Sequence, residues 1–451
     1  MPAIAYVTPS GDTTGATDSA AINREFSAAD RDISVQLGPG NWYVNAPLTP
    51  GPGNELAGVK GGTNGNSATT PAGTVIHPVP AFSATGGVID LADGNTANRI
   101  TDLAILNDLG CPADVDGISC HRNVNGLFLS RVSVCKVSGH GVAYYQGADG
   151  TDGDALWMER CMIQRPGKNG VHRPPNDTNV HNVHIQFAGN VAGARQGYGF
   201  FSTPSSSGNI TYVGCRVDLC AAAGWLIDHK GSYGDATKLI GCSTERNFGD
   251  GVLITNSSAS GSDWRAPVII SGCCFEGDGM NNGGGGEYAG IEVQGRNRVF
   301  IDGTVTAVNT LDMALGAPKY ALAIRQAGSS PGRPETIEWA SGRLNYSTGQ
   351  GGKAILNHSQ CDQLLIGPTV TQAGGYADDT PDCRAGKATL VAGTAKVSTP
   401  WSWPSALISL TPLGYPSGRL YVGSRSDNSF TIKSTSTSDT CDVAWVILPG
   451  D

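Results

Sequence analysis

Apolar positions recur along this chain at the spacing of stacked loops rather than of helices. A glycine followed by apolar residues at the next and third-next positions opens "GVID" (87), "GISC" (117), "GVAY" (141), "GFFS" (199), "GWLI" (224), "GVLI" (251) and "GIEV" (290). "GVHR" (170) and "ALAI" (321) are weaker members, and successive members lie 24 to 39 residues apart. Between them sit further β-like runs, among them "LFLSRVSV" (127), "LWMERCMI" (156), "ITYVGCRV" (210), "TKLIGCST" (237) and "VIISGCCF" (268). Two or three short strands per repeat, joined by Gly, Asn and Asp turns, predict one coil of a parallel β-helix. Propeller blades run longer, at about 40 to 50 residues, and carry a per-blade signature that is absent here.

A second outline runs through three of these coils. "YVGCRVD" (212–218), "LIGCSTE" (239–245) and "ISGCCFE" (270–276) each place a carboxylate three positions after a Gly-Cys, with the cysteines 27 and 31 residues apart. Strand alternation predicts that Cys242 and Thr244 point inward, over Cys215 and Val217 and under Cys273 and Phe275. Glu245 then points outward at its strand end, over Asp218 and under Glu276.

The two ends read differently. "GDTTGATDSAAINREFSAAD" predicts a turn and a helix, with Asp18 as N-cap and Ala21, Ile22 and Phe26 as its apolar face. Such a helix would cap the open end of the solenoid, an edge otherwise exposed to aggregation. After about residue 375 the coil pattern stops, and "ATLVAGTAKVSTPW", "ALISLTPL", "GRLYVGSRSDNSFTIKS" and "CDVAWVILPG" predict a small antiparallel β-sandwich. The expected organisation is all-β: an N-terminal cap and lead-in over 1–45, a parallel β-helix of about ten coils over 46–376, and a C-terminal β-domain over 377–451. Within the Gly-led runs, Ile89, Ala143, Phe201, Leu226, Leu253 and Ala323 are expected to face outward, with Ser119, His172 and Glu292 as polar exceptions. So long an apolar stripe needs a cover; three-fold packing of identical chains is the expectation, a long loop of the same chain the alternative.

Composition supports a turn-rich β protein. Glycine supplies 63 of 451 residues, about twice the usual share, and charged residues only 15%. A net charge of −9 without a basic cluster argues against nucleic acid or anionic membranes as partners. The N-terminal "MPAIAYVTPSGD" has neither the basic start nor the apolar run of a secretion signal, and no stretch reaches the length of a membrane span. Of twelve cysteines, most lie in apolar runs as core filling. No C-x-x-C occurs, His181 and His184 have no helix behind them, and no metal or cofactor is expected. Cys383 and Cys441 form the one candidate disulfide.

The opening "VTPSGDTTGATDSAAIN", then "LGPGNWYVNAPL" and the Gly-led coils, resembles the pectate-lyase-like lead-in of trimeric bacteriophage tailspikes and tail fibres. The terminal "ATLVAGTAKVSTP" and "YVGSRSDNSFTIKSTSTSDTCDVAWVI" resemble the small β-domains that end tail proteins of phages infecting actinobacteria. The resemblance implies a right-handed parallel β-helix and a homotrimer on a virion, alongside other tail proteins, that binds and often cleaves a host cell-surface glycan. It carries no catalytic residue over, because such residues vary in position between tailspikes.

Candidate chemistry therefore comes from the stacking. Acids on adjacent coils would stand about 5 Å apart and acids two coils apart near 9.6 Å, bracketing the retaining and inverting separations of glycosidases. Asp218, Glu245 and Glu276 are the catalytic candidates. Crowding three like charges should raise at least one pKa, which makes Glu245, flanked on both sides, the expected proton donor and Asp218 or Glu276 the base. The bland alternative is a set of solvated strand ends. Asp228, Asp250, Tyr233, Trp264 and Tyr288 are candidate substrate contacts, the aromatics as platforms for a sugar ring. No G-x-S-x-G elbow or phosphate-binding loop is present. Three readings stay open: a tail protein that hydrolyses surface polysaccharide, a purely adhesive fibre, and a bacterial β-helix carbohydrase of the lyase or fructan-processing kind. For a lyase, Arg216 and Arg246 beside the acids could supply the base.

Overall fold

The computed structural model describes residues 3–28, 32–59, 73–83, 86–145, 153–191, 194–195, 197–203, 209–228, 236–256, 267–279, 288–295, 297–307, 320–325, 336–344, 353–357, 363–372, 385–398, 407–426 and 429–448. Three columns of parallel strands wind into a right-handed β-solenoid of about nine turns. A middle coil shows the unit. Thr237–Ile240 and Ser243–Glu245 are its first and second strands, and Val252–Thr255 is its third. Each pairs in register with its counterparts below and above: Thr211↔Lys238↔Ile269, Val217↔Thr244↔Phe275 and Ile227↔Ile254↔Val293. The third column alone stacks ten strands, from Gly87–Leu91 to Lys353–Asn357.

The long β-like runs of the sequence are each two strands, bent at one left-handed residue. That residue is Asp102, Arg131, Arg160 or Asn182 in the lower coils and Gly214, Gly241, Gly272 or Gly303 above, all with φ between 52° and 60°. The bend explains the Gly-Cys outline. Glycine takes the left-handed corner at no steric penalty, and the following Cys215, Cys242 or Cys273 turns inward and is buried. Each thiol donates to a carbonyl of the coil below, on Val180, Tyr212 and Leu239 respectively, at 3.4 Å. A second column of left-handed residues, Lys136, Arg165, Phe187, Leu219, Arg246 and Gly277, ends the second strand.

The Gly-led motif has a different cause. A Cβ on Gly199 would overlap Val217 Cγ1 and lie 2.6 Å from the carbonyl oxygen of Gly224. One on Gly251 would lie 2.5 Å from the Gly290 oxygen. The third strand thus begins where the central side chain of the second already fills the lumen, and only glycine fits between them. Above and below that point the lumen is one continuous apolar cluster running from Ile22 to Leu364.

At the N-terminal end, helix Ala16–Ala28 buries Ile22 and Phe26 against the first coil as expected. The cap differs. Asp12, not Asp18, accepts the Thr14 and Thr17 amides, and these bonds hold its carboxyl below the usual range. The helix begins two residues before Asp18, whose buried carboxylate instead binds the amides of Ser10 at 2.9 Å and Tyr43 at 3.0 Å.

The outward stripe also needs correction. Asp90, not Ile89, pairs with Ser119, and Ile89 lies in the lumen against Ile118, because the lowest third-column strand is offset by one residue at its glycine. From Ser119 the stripe runs through Ala143, His172, Phe201, Leu226, Leu253, Glu292 and Ala323. Within a single chain Ser119, Ala143, Leu226, Glu292 and Ala323 are already buried. The stripe is therefore not a bare apolar face awaiting a neighbour. Exposed apolar side chains sit instead outside the first column, at Trp157, Ile240, Phe300 and Leu365.

The C-terminal strands form two three-stranded antiparallel sheets, a sandwich-like unit with its own core of Leu390, Val397, Phe430, Ile432, Val443, Trp445 and Ile447. Cys441 carries a free thiol; Cys383 lies outside the described residues.

Two substitutions test the separate roles of glycine. Gly199→Ala forces a methyl into filled space and is expected to destabilise by about 3 kcal/mol or more. Gly241→Ala meets nothing within 4 Å, so it loses only the left-handed preference, about 1–2 kcal/mol. Chemical denaturation of the two variants checks the order.

Candidate functional site

The three predicted acids stand in one column. Asp218 pairs with Glu245 and Glu245 with Glu276, each the last residue of its second-column strand. The column extends downward through Gln186 and Gln164, in register. Beside it runs a second outward column, Met162, His184, Arg216, Ser243 and Cys274. Five coils at about 4.8 Å per step make this a polar strip near 20 Å long.

Its electrostatics differ from the expected stack of bare anions. Asp218 is 2% exposed, and both its oxygens are taken. Arg216 Nε reaches them at 3.0 and 2.8 Å, and His184 Nε2 approaches Oδ2 at 2.7 Å. The same guanidinium donates through Nη2 to Glu245, and Arg246 Nε lies 3.6 Å from Glu245 Oε1. Gln164 donates to Gln186, and Gln186 to Asp218, at 3.2 and 3.4 Å. Arg216, shared between two coils, and Arg246 offset the charges of Asp218 and Glu245, so like-charge crowding does not single out Glu245 as a proton donor. Glu276 has no cation paired with it among the described residues. These partners were legible in principle: "HIQ", "RVD" and "STE" align residue for residue, which puts His184 and Arg216 one above the other, two positions before the acids.

The remaining candidates separate. Tyr288 is half-buried, and a Cβ on Gly279 would lie 2.9 Å from the tyrosine's own Cβ. Asp228 ends a third-column strand and Asp250 lies two residues before the next one, Val252–Thr255; both are buried. Asp250 accepts the Ala289 amide at 2.7 Å, and burial together with nearby Glu292 pushes its carboxyl well up. Glu292, in turn, is ion-paired to Arg325 at 2.8 Å. Asp250 thus fastens two coils together rather than lining an open turn. Tyr233 and Trp264 lie outside the described residues. No group of three or more His, Cys, Asp or Glu side chains among the described residues is arranged to hold a metal ion.

Beneath the acid strip lies a buried carboxylate that the sequence pattern missed. Asp278 occupies the place held by Asn247 one coil below. It is fully buried and accepts bonds from Thr244 Oγ1 and from the Asn247 amide and side chain at 3.1 and 2.9 Å. Burial outweighs these donors and pushes it up to about 7.

Residues 382–448, which take in the sandwich-like unit, match a family described as the C-terminal domain of K1 capsule-specific polysaccharide lyase. No characterised protein matches the chain significantly in sequence. Among solved structures, the tailspike of Escherichia coli bacteriophage HK620, in complex with a pentasaccharide, is similar over 98% of this chain and 91% of its own. The identity is 8% and the TM-score 0.49. The A-module of mannuronan C-5 epimerase AlgE4 from Azotobacter vinelandii is similar over 82% of this chain and all of its own, at 13% identity and TM-score 0.47. ORF18 of Geobacillus virus E2 covers 99% of this chain and 77% of its own, at 12% and 0.46. The structure itself makes the protein a right-handed parallel β-helix with one N-terminal helix and a small antiparallel C-terminal unit.

Asp278 yields a pH test. Its folded pKa of about 7 lies above the 3.8 of an ordinary aspartate. The fold therefore keeps this proton while the unfolded chain loses it, and stability falls as pH rises from about 4 through 7. Asp278→Asn removes the ionisation while keeping the shape, with the Thr244 hydroxyl turning to accept. The variant is expected to match the parent near pH 4 and to exceed it by a few kcal/mol at pH 8. Thermal melts across that range check the divergence.

Proposed function

We propose that the protein is a phage tail protein of the tailspike or tail-fibre kind that binds a host cell-surface polysaccharide and hydrolyses it. The observation that carries this reading is the in-register column Asp218, Glu245 and Glu276 on an outward face, with Arg216 set between the first two. Asp218, buried and saturated, serves to position Arg216. The working pair is Glu245 and Glu276, on adjacent coils. Their spacing of about 5 Å is that of a retaining glycosidase. Glu276 protonates the glycosidic oxygen while the ion-paired carboxylate of Glu245 attacks the anomeric carbon. Water then releases the sugar, with Glu276 as base. Tyr233, Trp264 and Tyr288 are proposed as sugar platforms. The organisation into cap (1–45), solenoid (46–376) and C-terminal β-domain (377–451) goes with this reading. So do assembly as a homotrimer, attachment to other tail proteins and a place on the virion.

A second reading, polysaccharide lyase, is favoured by the likeness of residues 382–448 to a capsule-lyase C-terminal domain. One assay separates the two. Envelope polysaccharide from a host strain is incubated with the protein, and new reducing ends are measured alongside unsaturated-sugar absorbance. Reducing ends without absorbance, lost at least about 100-fold in Glu245→Gln and in Glu276→Gln, are expected. Rising absorbance marks a lyase, and no product at all marks an adhesive fibre. Full cleavage by either variant removes the assigned pair. Light scattering is expected to give a mass of three 46.5 kDa chains.

A further inference from the structure

The outer face of the third column carries a set of side chains that the acid strip does not use. His121, Tyr145, His172, Phe201 and Tyr198 form an unbroken series of neighbouring rings climbing four coils. Successive ring centres lie 6.1, 6.4, 5.1 and 5.5 Å apart. His172 and Phe201 are in register with Ala143, so the series steps sideways by two positions above Tyr145. At its lower end it opens onto a depression of about 450 Å³ lined by Asp90, Ala92, Asp93, His121, Arg122 and Tyr145.

The rings are held rigidly. Tyr145 is 39% exposed, yet its hydroxyl donates at 2.5 Å to Asp116, a carboxylate buried under the strand that also accepts the His140 amide at 2.6 Å. His121 Nε2 lies 2.9 Å from Asp90, which is bonded in addition by Ser119. His140 stacks on His172 from behind, at 4.1 Å. Burial keeps both of those imidazoles neutral, pushing His140 down to about 2 and His172 to about 4. His172 is stacked between His140 and Phe201 and so props the series rather than offering a face of its own. The exposed Tyr145 ring, fixed in place with polar groups at its edge, suits a ligand having apolar C–H faces and hydroxyl edges. In the depression His121 bonds Asp90, and Arg122, its one arginine, is matched by Asp93 at 3.2 Å. The site therefore offers hydrogen-bonding donors and acceptors and no arginine without an acid beside it, which disfavours an anionic sugar.

We infer that this face is a second saccharide-binding strip, separate from the acid column, that takes an uncharged linear glycan. Sugar rings stack against Tyr145 and His121, beside the depression, and their hydroxyls bind Asp90, Asp93 and Arg122. Such a strip would hold the polymer on one face of the solenoid while another face works on it.

The test is capture of the full-length chain on an array of neutral linear glycans and of linear glycans bearing carboxylate or phosphate. Capture of neutral glycans is expected, weakened at least tenfold by Tyr145→Ala and by Arg122→Gln. Tyr145→Phe, which keeps the ring, should retain most of it. Arg122 lies at the surface, so its variant remains informative if Tyr145→Ala fails to fold. Capture of charged glycans alone, no capture, or capture unchanged by Arg122→Gln overturns the strip. Because the array reads binding without turnover, an acid column that proves inactive leaves this result standing.

Discussion

The register of one coil on the next is the constraint from which the other features of this molecule follow. Parallel strands hold neighbouring coils about 4.8 Å apart, and a slip of one residue would turn every lumen side chain outward. Two devices fix that register. Left-handed corners, at Gly241 and its equivalents and again at Arg246 and its equivalents, set where each strand ends. Glycines such as Gly199 and Gly251 set where the third strand begins, because a side chain there would collide with the coil's own core. Together they make residues roughly thirty apart into vertical neighbours.

Vertical neighbours then share charges. Arg216 serves Asp218 on its own strand and Glu245 on the next, and glutamines carry the chain of donors down to Gln164. A half-exposed arginine bonded to a buried carboxylate contributes more than an isolated surface pair would, because it satisfies an acid that cannot reach water. The same stacking moves polar groups inward in the upper coils, where Asn247 and then Asp278 replace the Cys220 of the coil below. Asp278 is an ionisable group kept in a dry site, and this makes the solenoid's stability depend on pH.

Much of this was legible in the sequence. The Gly-led runs mark the third column, and the Gly-Cys outline alone places Asp218, Glu245 and Glu276 on successive coils. What escaped was decided by interactions that period alone does not encode. The one-residue offset at Gly87 puts Ile89 inside and Asp90 outside, although "GVID" matches its sister runs letter for letter in pattern. Asp12 took the cap from Asp18 because the helix starts two residues earlier. The balance of charge on Glu245 depends on how far a guanidinium reaches, which a pattern of apolar positions does not report. The ring series was invisible for a related reason: His121 and Tyr145 fall just past their strands, outside any alternation.

Disulfide trapping across the outer face of the first column tests the register most directly. Thr211 pairs with Lys238, and Lys238 with Ile269. Cysteines at Thr211 and Lys238, or at Lys238 and Ile269, would have Cα atoms within the range that a disulfide spans. Rapid cross-linking of both pairs is expected under mild oxidation, and none between positions 211 and 269, two coils apart. Cross-linking of 211 with 269, or failure of both adjacent pairs in folded protein, would contradict this register.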